Sequence, residues 1–161
     1  MTREEFKQEA TRLRPKLLGI ARRYLDDAED AEDTVQDVLL RLWQMADELK
    51  MPIDGLARML TRNFSVDKLR RRRSFVPIEQ MASAPAYSAD NERIERLMQA
   101  LATLPEMQQT IVRMRHMEGM EMSDIAQLIG STEVAVRQSL SRARKSILLK
   151  MTKQLSTKKN D

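Results

Sequence analysis

The stretch "MSDIAQLIGSTEVAVRQSLSRARKSILLKM", Met122 to Met151, decides the fold of the second half of the chain. It predicts a short helix over Ser123 to Ile129 that ends at Gly130, because glycine suits the left-handed position after a helix. Ser131 is expected to cap a second, longer helix. Two helices joined by so tight a turn are typical of a helix-turn-helix.

The second helix of this pair has two faces of different chemistry. Its predicted buried face repeats at helical spacing and consists of Val136, Leu140, Ala143 and Ile147. The opposite face carries polar and cationic groups, and we assign to it Val134, Arg137, Gln138, Ser141, Arg142 and Lys145. A helix that reads base edges in the major groove of DNA needs such groups near its N-terminal half. The alternative reading is a solvated helix surface that happens to be basic.

The composition extends the helical prediction to the whole chain. Of 161 residues, 42% are hydrophobic and only 4% aromatic, with four glycines, five prolines and no cysteine. Helix-forming residues dominate and β-branched runs are scarce, so we predict an all-α protein of two small domains. The absence of cysteine fits a reducing compartment, and the cytoplasm is expected because no apolar signal segment or membrane span is found.

Three helices are predicted before residue 74. The first has an apolar face of Phe6, Ala10, Leu13, Leu17, Ile20 and Tyr24. Asp26 or Asp27 can cap the second, which is predicted to run to about Leu49. Its inward face is Ala28, Ala31, Val35, Val38, Leu42 and Met45, and its outward face is Glu29, Asp30, Glu32, Asp33, Gln36 and Asp37. The third follows Pro52, with Ile53, Leu56, Leu60 and Phe64 on one side.

The segment "SFVPIEQMASAPAYSADN", Ser74 to Asn91, has no periodicity and is predicted to be a flexible linker. The domains are therefore expected at 1–73 and 92–151, with a frayed tail over 152–161. The second domain begins with an apolar face of Ile94, Leu97, Met98 and Leu101. After it, "TLPE" predicts a capping box between Thr103 and Glu106.

Charge is distributed unevenly along the chain. Residues 1–50 hold 9 basic and 12 acidic side chains, whereas residues 51–73 hold 7 basic and 2 acidic ones. Four of the basic residues are the consecutive arginines of "SVDKLRRRRSFVP", which point around the whole helix and suit no packed core. Such a run is typical of a surface that contacts phosphates.

The chain resembles a bacterial RNA polymerase sigma factor of the extracytoplasmic-function (ECF) group. "DAEDAEDTVQDVLLRLW" is similar to the family's core-binding helix, and "ARMLTRNFSVDKLRRRRS" to its −10-element segment. "LATLPEMQQTIVRMRHMEGMEMSDIAQLIGSTEVAVRQSLSRARKSI" is similar to its −35-reading segment. Departures from the family pattern are Asp124 in place of a common Glu and Gln109 in place of a common Arg.

The resemblance implies a role for each charged region. The acidic helix would dock on the β′ clamp helices of core RNA polymerase through Asp33, Gln36 and Asp37, and the β flap would hold the second domain. The −10 element of promoter DNA would be melted and held by Asn63, Asp67, Lys68, Arg70, Arg71, Arg72 and Arg73, and the −35 element read by the recognition helix. An anti-sigma factor is a further expected partner.

Other site classes are not expected. The chain shows no phosphate-binding glycine loop and no nucleophile paired with a base, so we predict a non-enzyme without cofactor. His116 stands alone, so no metal is expected there, and Trp43 and the methionines are interpreted as core residues. The alternative function is a self-sufficient helix-turn-helix regulator, but such proteins normally pair two identical readers on a palindrome.

Overall fold

The computed structural model describes residues 1–73 and 89–159, and the side chains of residues 1–71 and 91–153 within them. The described part is entirely helical apart from turns, which confirms the all-α prediction. Seven α-helices follow one another, with a 3-10 turn at Ala46–Glu48: α1 Arg3–Tyr24, α2 Ala28–Gln44, α3 Asp54–Arg73, α4 Ala89–Ala102, α5 Glu106–His116, α6 Met122–Ile129 and α7 Glu133–Lys159. Within these ranges, none of the helices is long and apolar enough to cross a membrane.

The helices form two compact units, the first built on α1 to α3 and the second on α4 to α7. Residues 74–88 of the predicted linker lie outside the described residues. Helix α4 begins at Ala89, so the last three residues of that segment are helical. Helix α7 continues to Lys159 and so includes most of the predicted tail.

The first unit has a core of side chains from all three helices. Leu13 and Leu17 of α1, Val35 and Leu42 of α2, and Leu56 of α3 are almost completely buried. Asp27 caps α2, because its carboxylate accepts a hydrogen bond from the N–H of Glu29 at 2.8 Å. This decides between the two predicted caps.

Two details of the predicted second helix are wrong. Ala28 is exposed, because it lies in the first turn and has no neighbouring helix to cover it. The α-helix ends at Gln44 and not near Leu49, since the backbone tightens into the 3-10 turn. Met45, Ala46 and Leu49 are nevertheless buried, so this turn continues the core.

Ion pairs tie the three helices of the first unit together. Arg12 of α1 donates hydrogen bonds of 3.0 and 2.6 Å to Asp54 of α3. Arg14 of α1 pairs with Glu32 of α2 at 2.5 Å. Lys68 of α3 lies 3.8 Å from the carboxylate of Asp30 on α2. Among the described residues, each pair of these helices is thus joined by an ion pair.

The second unit is built around α7, which packs on α4 and α5. Leu101, Leu104 and Ala143 form a buried cluster against which Val112 and Ile147 pack. The predicted apolar face of α4 is buried only at this end. Ile94, Leu97 and Met98 are 57%, 42% and 38% exposed, because the buried cluster with α7 involves Leu101 at the end of α4.

The predicted capping box at "TLPE" is wrong. The N–H groups of Thr103 and Leu104 bond back to the carbonyls of Ala100 and Leu101, so both residues form a turn that directly follows α4. The Thr103 hydroxyl donates to the carbonyl of Ala100 at 2.7 Å. Helix α5 begins after Pro105, which has no N–H and stands at the cap position without a side-chain hydrogen bond.

Candidate nucleic-acid interface

The turn between α6 and α7 sets the direction of the recognition helix. Gly130 has a φ of +68°, the left-handed conformation predicted for it. The N–H of Ser131 then donates to the carbonyl of Ala126 at 2.8 Å, closing the end of α6. The next residue, which directly precedes α7, provides the cap: Thr132 Oγ1 accepts from the N–H of Ala135 at 3.1 Å. The predicted cap at Ser131 is therefore wrong by one residue.

Helix α7 presents the two faces that its sequence predicts. Val136, Leu140 and Ala143 are buried and Ile147 is half-buried. On the other side, all six predicted DNA-reading residues are exposed: Val134, Arg137, Gln138, Ser141, Arg142 and Lys145. Val134 is 61% exposed although it is apolar. The cations of this set form no hydrogen bond or ion pair with other residues of the described ranges, so their charge is available to a ligand.

The C-terminal half of α3 holds the residues predicted to contact the −10 element. Asn63 and Asp67 lie one helical turn apart, and both are half-buried. Phe64 is also half-buried, and the guanidinium of Arg41 stands 5.6 Å from the centre of its ring. Its ring is therefore partly covered by a cation from α2.

The basic residues of α3 differ in their surroundings. Arg70 and Arg71 are exposed. The ammonium of Lys68 lies 3.4 Å from the carbonyl oxygen of Asp30 as well as near its carboxylate, so it is engaged within the unit. Arg72 and Arg73 end the helix, and their side chains lie outside the described residues.

The outward face of α2 divides into two sets of residues. Asp30 and Glu32 pair with cations of α3 and α1. Asp33, Gln36 and Asp37 are exposed and form a stripe along the helix, which we call the acidic stripe. The residues predicted to dock on polymerase are therefore those that the fold does not use for its own ion pairs.

Two apolar residues continue the acidic stripe and were missed by sequence reasoning. Leu40 is 55% exposed and stands one to two turns beyond Gln36 and Asp33. Trp43 is 39% exposed, with its ring 5.2 Å from the ring of Phe6 and 5.5 Å from the guanidinium of Arg3. The interpretation of Trp43 as a core residue is thus wrong, since the residue is 39% exposed. The seven-residue spacing from Asp33 to Leu40 was the available signal.

The two surfaces that the sequence predicts to contact DNA belong to different units, the α3 residues to the first and the α7 face to the second. Among the described residues, no three His, Asp or Glu side chains are grouped so as to hold a metal ion. What both surfaces offer is cations and hydrogen-bonding groups on helices whose other faces are buried. That chemistry suits contact with a polyanion through each of the two surfaces.

Comparison with known proteins finds two family models in matching positions. The model described as "Sigma-70 region 2" matches residues 10–75, and that described as "Sigma-70, region 4" matches residues 94–147. An RNA polymerase sigma-E factor of Streptomyces avermitilis is 30% identical over 144 residues, 86% of this chain and 80% of the relative. The ECF RNA polymerase sigma factor SigM of Mycobacterium tuberculosis is 27% identical over 146 residues, 88% of this chain and 74% of the relative.

A solved structure is also similar. The sigma factor RpoE from Bartonella quintana, in complex with the anti-sigma factor NepR, superposes with a TM-score of 0.41 at 23% identity. The match covers 92% of this chain and 98% of that one.

Proposed function

The chain belongs to the ECF group of the sigma-70 family of RNA polymerase sigma factors, and we propose which of its surfaces carry each part of transcription initiation. As a sigma factor it acts with core RNA polymerase on promoter DNA and directs transcription initiation. It is a DNA-binding regulatory protein, and we infer that it has no catalytic activity of its own and works in the cytoplasm. The residue roles that follow belong to this proposal.

The recognition face of α7 reads the −35 element. Its support is the observation that carries the proposal: six residues of suitable chemistry are exposed on one side of a helix whose other side is buried. Arg137 and Gln138 can each form bidentate hydrogen bonds with base edges, Arg to guanine and Gln to adenine. Arg142 and Lys145 lie further along the helix and suit phosphate contacts, which position the helix without reading sequence.

The C-terminal half of α3 holds the melted −10 element. Asn63 and Asp67 offer an amide and a carboxylate to the edge of an unpaired base, and the arginines from Arg70 to Arg73 contact the backbone phosphates. Lys68 contributes least to DNA contact, because its ammonium already faces Asp30.

The acidic stripe docks on the β′ clamp helices of core polymerase, and the β flap holds the second unit. Asp33, Gln36 and Asp37 are exposed and adjacent. Leu40 and Trp43 add apolar area to the same face, which is the usual makeup of an interface core beside a charged rim. Family membership also makes an anti-sigma factor an expected partner.

A transcription assay with purified core polymerase tests the assignment of the acidic stripe. We expect Asp33→Lys with Asp37→Lys to abolish promoter-dependent transcription and co-elution with core enzyme, while residual DNA binding persists. The matched control is Glu92→Lys with Glu95→Lys, which makes the same charge change at exposed positions of α4. Retained co-elution by the Asp33/Asp37 variant would show that polymerase docks elsewhere.

The same assay separates the sigma-factor function from a self-sufficient regulator. A regulator would protect its DNA site without core enzyme and would elute apart from it. The acidic stripe favours the sigma factor, because its exposed carboxylates would repel DNA and therefore suit a protein partner such as core polymerase.

A further inference from the structure

Four methionines lie within nine residues at the turn between α5 and α6, in the sequence "MRHMEGMEM" from Met114 to Met122. No surface described above uses them. Their spacing, Met114, Met117, Met120 and Met122, places a thioether at every second or third residue. Core packing explains only Met114, which is 2% exposed.

The backbone of this turn brings three of the methionines together. Met114 and Met117 are three residues apart, so their Cβ atoms are roughly 5–6 Å apart on one side of α5. The chain then reverses at Gly119, whose φ is +68°, and the N–H of Met120 donates to the carbonyl of Met114 at 3.0 Å. Three thioether side chains therefore start from neighbouring backbone positions.

The turn is also held in place by a side chain. Arg115 Nη1 donates to the carbonyl of Met120 at 2.8 Å and stands 3.8 Å from the carboxylate of Glu121. The three methionines differ in depth: Met114 is buried, Met120 is half-buried and Met117 is 53% exposed. Solvent therefore reaches this turn through Met117 and Met120, while Met114 belongs to the buried end of the group.

A group of neutral sulfurs selects for a soft metal ion. Thioethers bind Cu(I), and its redox-inert analogue Ag(I), in preference to hard divalent cations, and they need no deprotonation. We propose that Met114, Met117 and Met120 form a binding site for one soft monovalent cation, Cu(I) or Ag(I). His116 is outside the site, because it lies two residues from Met114 and therefore on another side of α5.

Ag(I) titration of the full chain, labelled with 13C at its methionine methyl groups, tests the site in chloride-free buffer. We expect the methyl signals of Met114, Met117 and Met120 to shift together and to saturate at one ion per chain. Met51 and Met98 provide internal controls, because they are 55% and 38% exposed but lie away from the turn.

Variants make the assignment specific. Met117→Leu with Met120→Leu nearly preserves side-chain volume and should remove saturable Ag(I) binding and Cu(I) capture from a chromophoric chelator. Met51→Leu with Met98→Leu should leave both unchanged. The proposal would be overturned if the methyl shifts of all methionines increased simply with their exposure to solvent. Loss of Ag(I) binding in His116→Gln would overturn it as well. The test is independent of transcription, so its failure would leave the sigma-factor assignment untouched.

Discussion

Among single residues, Arg12 has the most defined electrostatic role. Its guanidinium donates to Glu9 on its own helix and to Asp54 in the first turn of α3. The hydrogen bonds from Arg12 hold the pKa of the Asp54 carboxyl below its ordinary value, and the nearby charges of Arg12, Lys16 and Arg58 act in the same direction. Asp54 therefore favours the folded state when it is ionised.

We predict that this contribution is lost in acid. Because the folded pKa is the lower one, the stabilisation is complete above the unfolded pKa of about 3.9 and disappears as the pH falls through the folded value. The double-mutant cycle of Asp54→Asn and Arg12→Gln, measured by thermal unfolding, gives the coupling free energy between the two side chains. This coupling should be present at pH 7 and should decline below about pH 4. Coupling that persists at pH 2 would show that the pair acts through packing.

Arg137 is the residue on which we expect upstream specificity to depend most. Arg137→Ala should change which −35 sequences are used, with a loss of discrimination of roughly 1–3 kcal/mol at one base pair. Transcription from a library of −35 variants would measure it. Arg137→Lys is the matched control, since it keeps the charge but loses the bidentate geometry. An equal loss across all sequences would make Arg137 a phosphate contact.

Single-residue roles at helix ends were the least predictable from sequence. Ser131 and Thr132 are both good caps, and the hydrogen bond from the N–H of Ala135 to Thr132 Oγ1 decides for Thr132. Thr103 was misassigned because its hydroxyl turns back to α4. By contrast, the buried and exposed residues of α7 were predictable, because helical spacing alone determines them.

At the scale of elements, the charged surface of α2 supplies ion pairs within the first unit and, in our proposal, the residues that dock on polymerase. Asp30 and Glu32 hold α3 and α1, while Asp33, Gln36 and Asp37 remain exposed. Sequence predicted the helix and its charged face. The division of that face could not be predicted, because it depends on where Arg14 and Lys68 lie on neighbouring helices. The exposure of the apolar face of α4 was unpredictable too, because it depends on which part of α4 packs against a neighbouring helix.

The cationic end of α3 should act through charge. Arg70→Gln with Arg71→Gln removes up to two phosphate contacts, which should reduce the slope of log K against log salt by roughly 1.4–1.8. Promoter preference should change little. Arg22→Gln with Arg23→Gln, an exposed pair at the end of α1, is the matched control. Equal slopes for the two variants would place Arg70 and Arg71 away from DNA.

At the scale of the whole molecule, the proposed DNA contacts are divided between two small units. In this proposal each unit contributes one helix face, so each alone would bury little surface. Binding to DNA also costs the protein translational and rotational freedom. A scaffold that holds protein and DNA together in advance reduces that cost, which is the benefit of preorganisation.

We therefore predict weak, mostly non-specific DNA binding by the free protein. Opening the −10 element adds an unstacking cost of a few kcal/mol, so promoter melting should occur only with core polymerase. Permanganate footprinting of the same promoter with and without core enzyme measures this. Protection of a specific site by nanomolar free protein would contradict it.

The exposure of Val134 has a consequence for the bases that α7 would distinguish in the −35 element. An apolar side chain left 61% exposed in the first turn of the helix cannot hydrogen-bond a base, but it can contact the C5-methyl group of thymine. Thymine and uracil present the same hydrogen-bonding groups in the major groove and differ only in that methyl group. Thymines of the −35 element can therefore be replaced by deoxyuridine one at a time, and we expect promoter use to weaken at one position. Val134→Ala should reduce this difference between the thymine and uracil promoters.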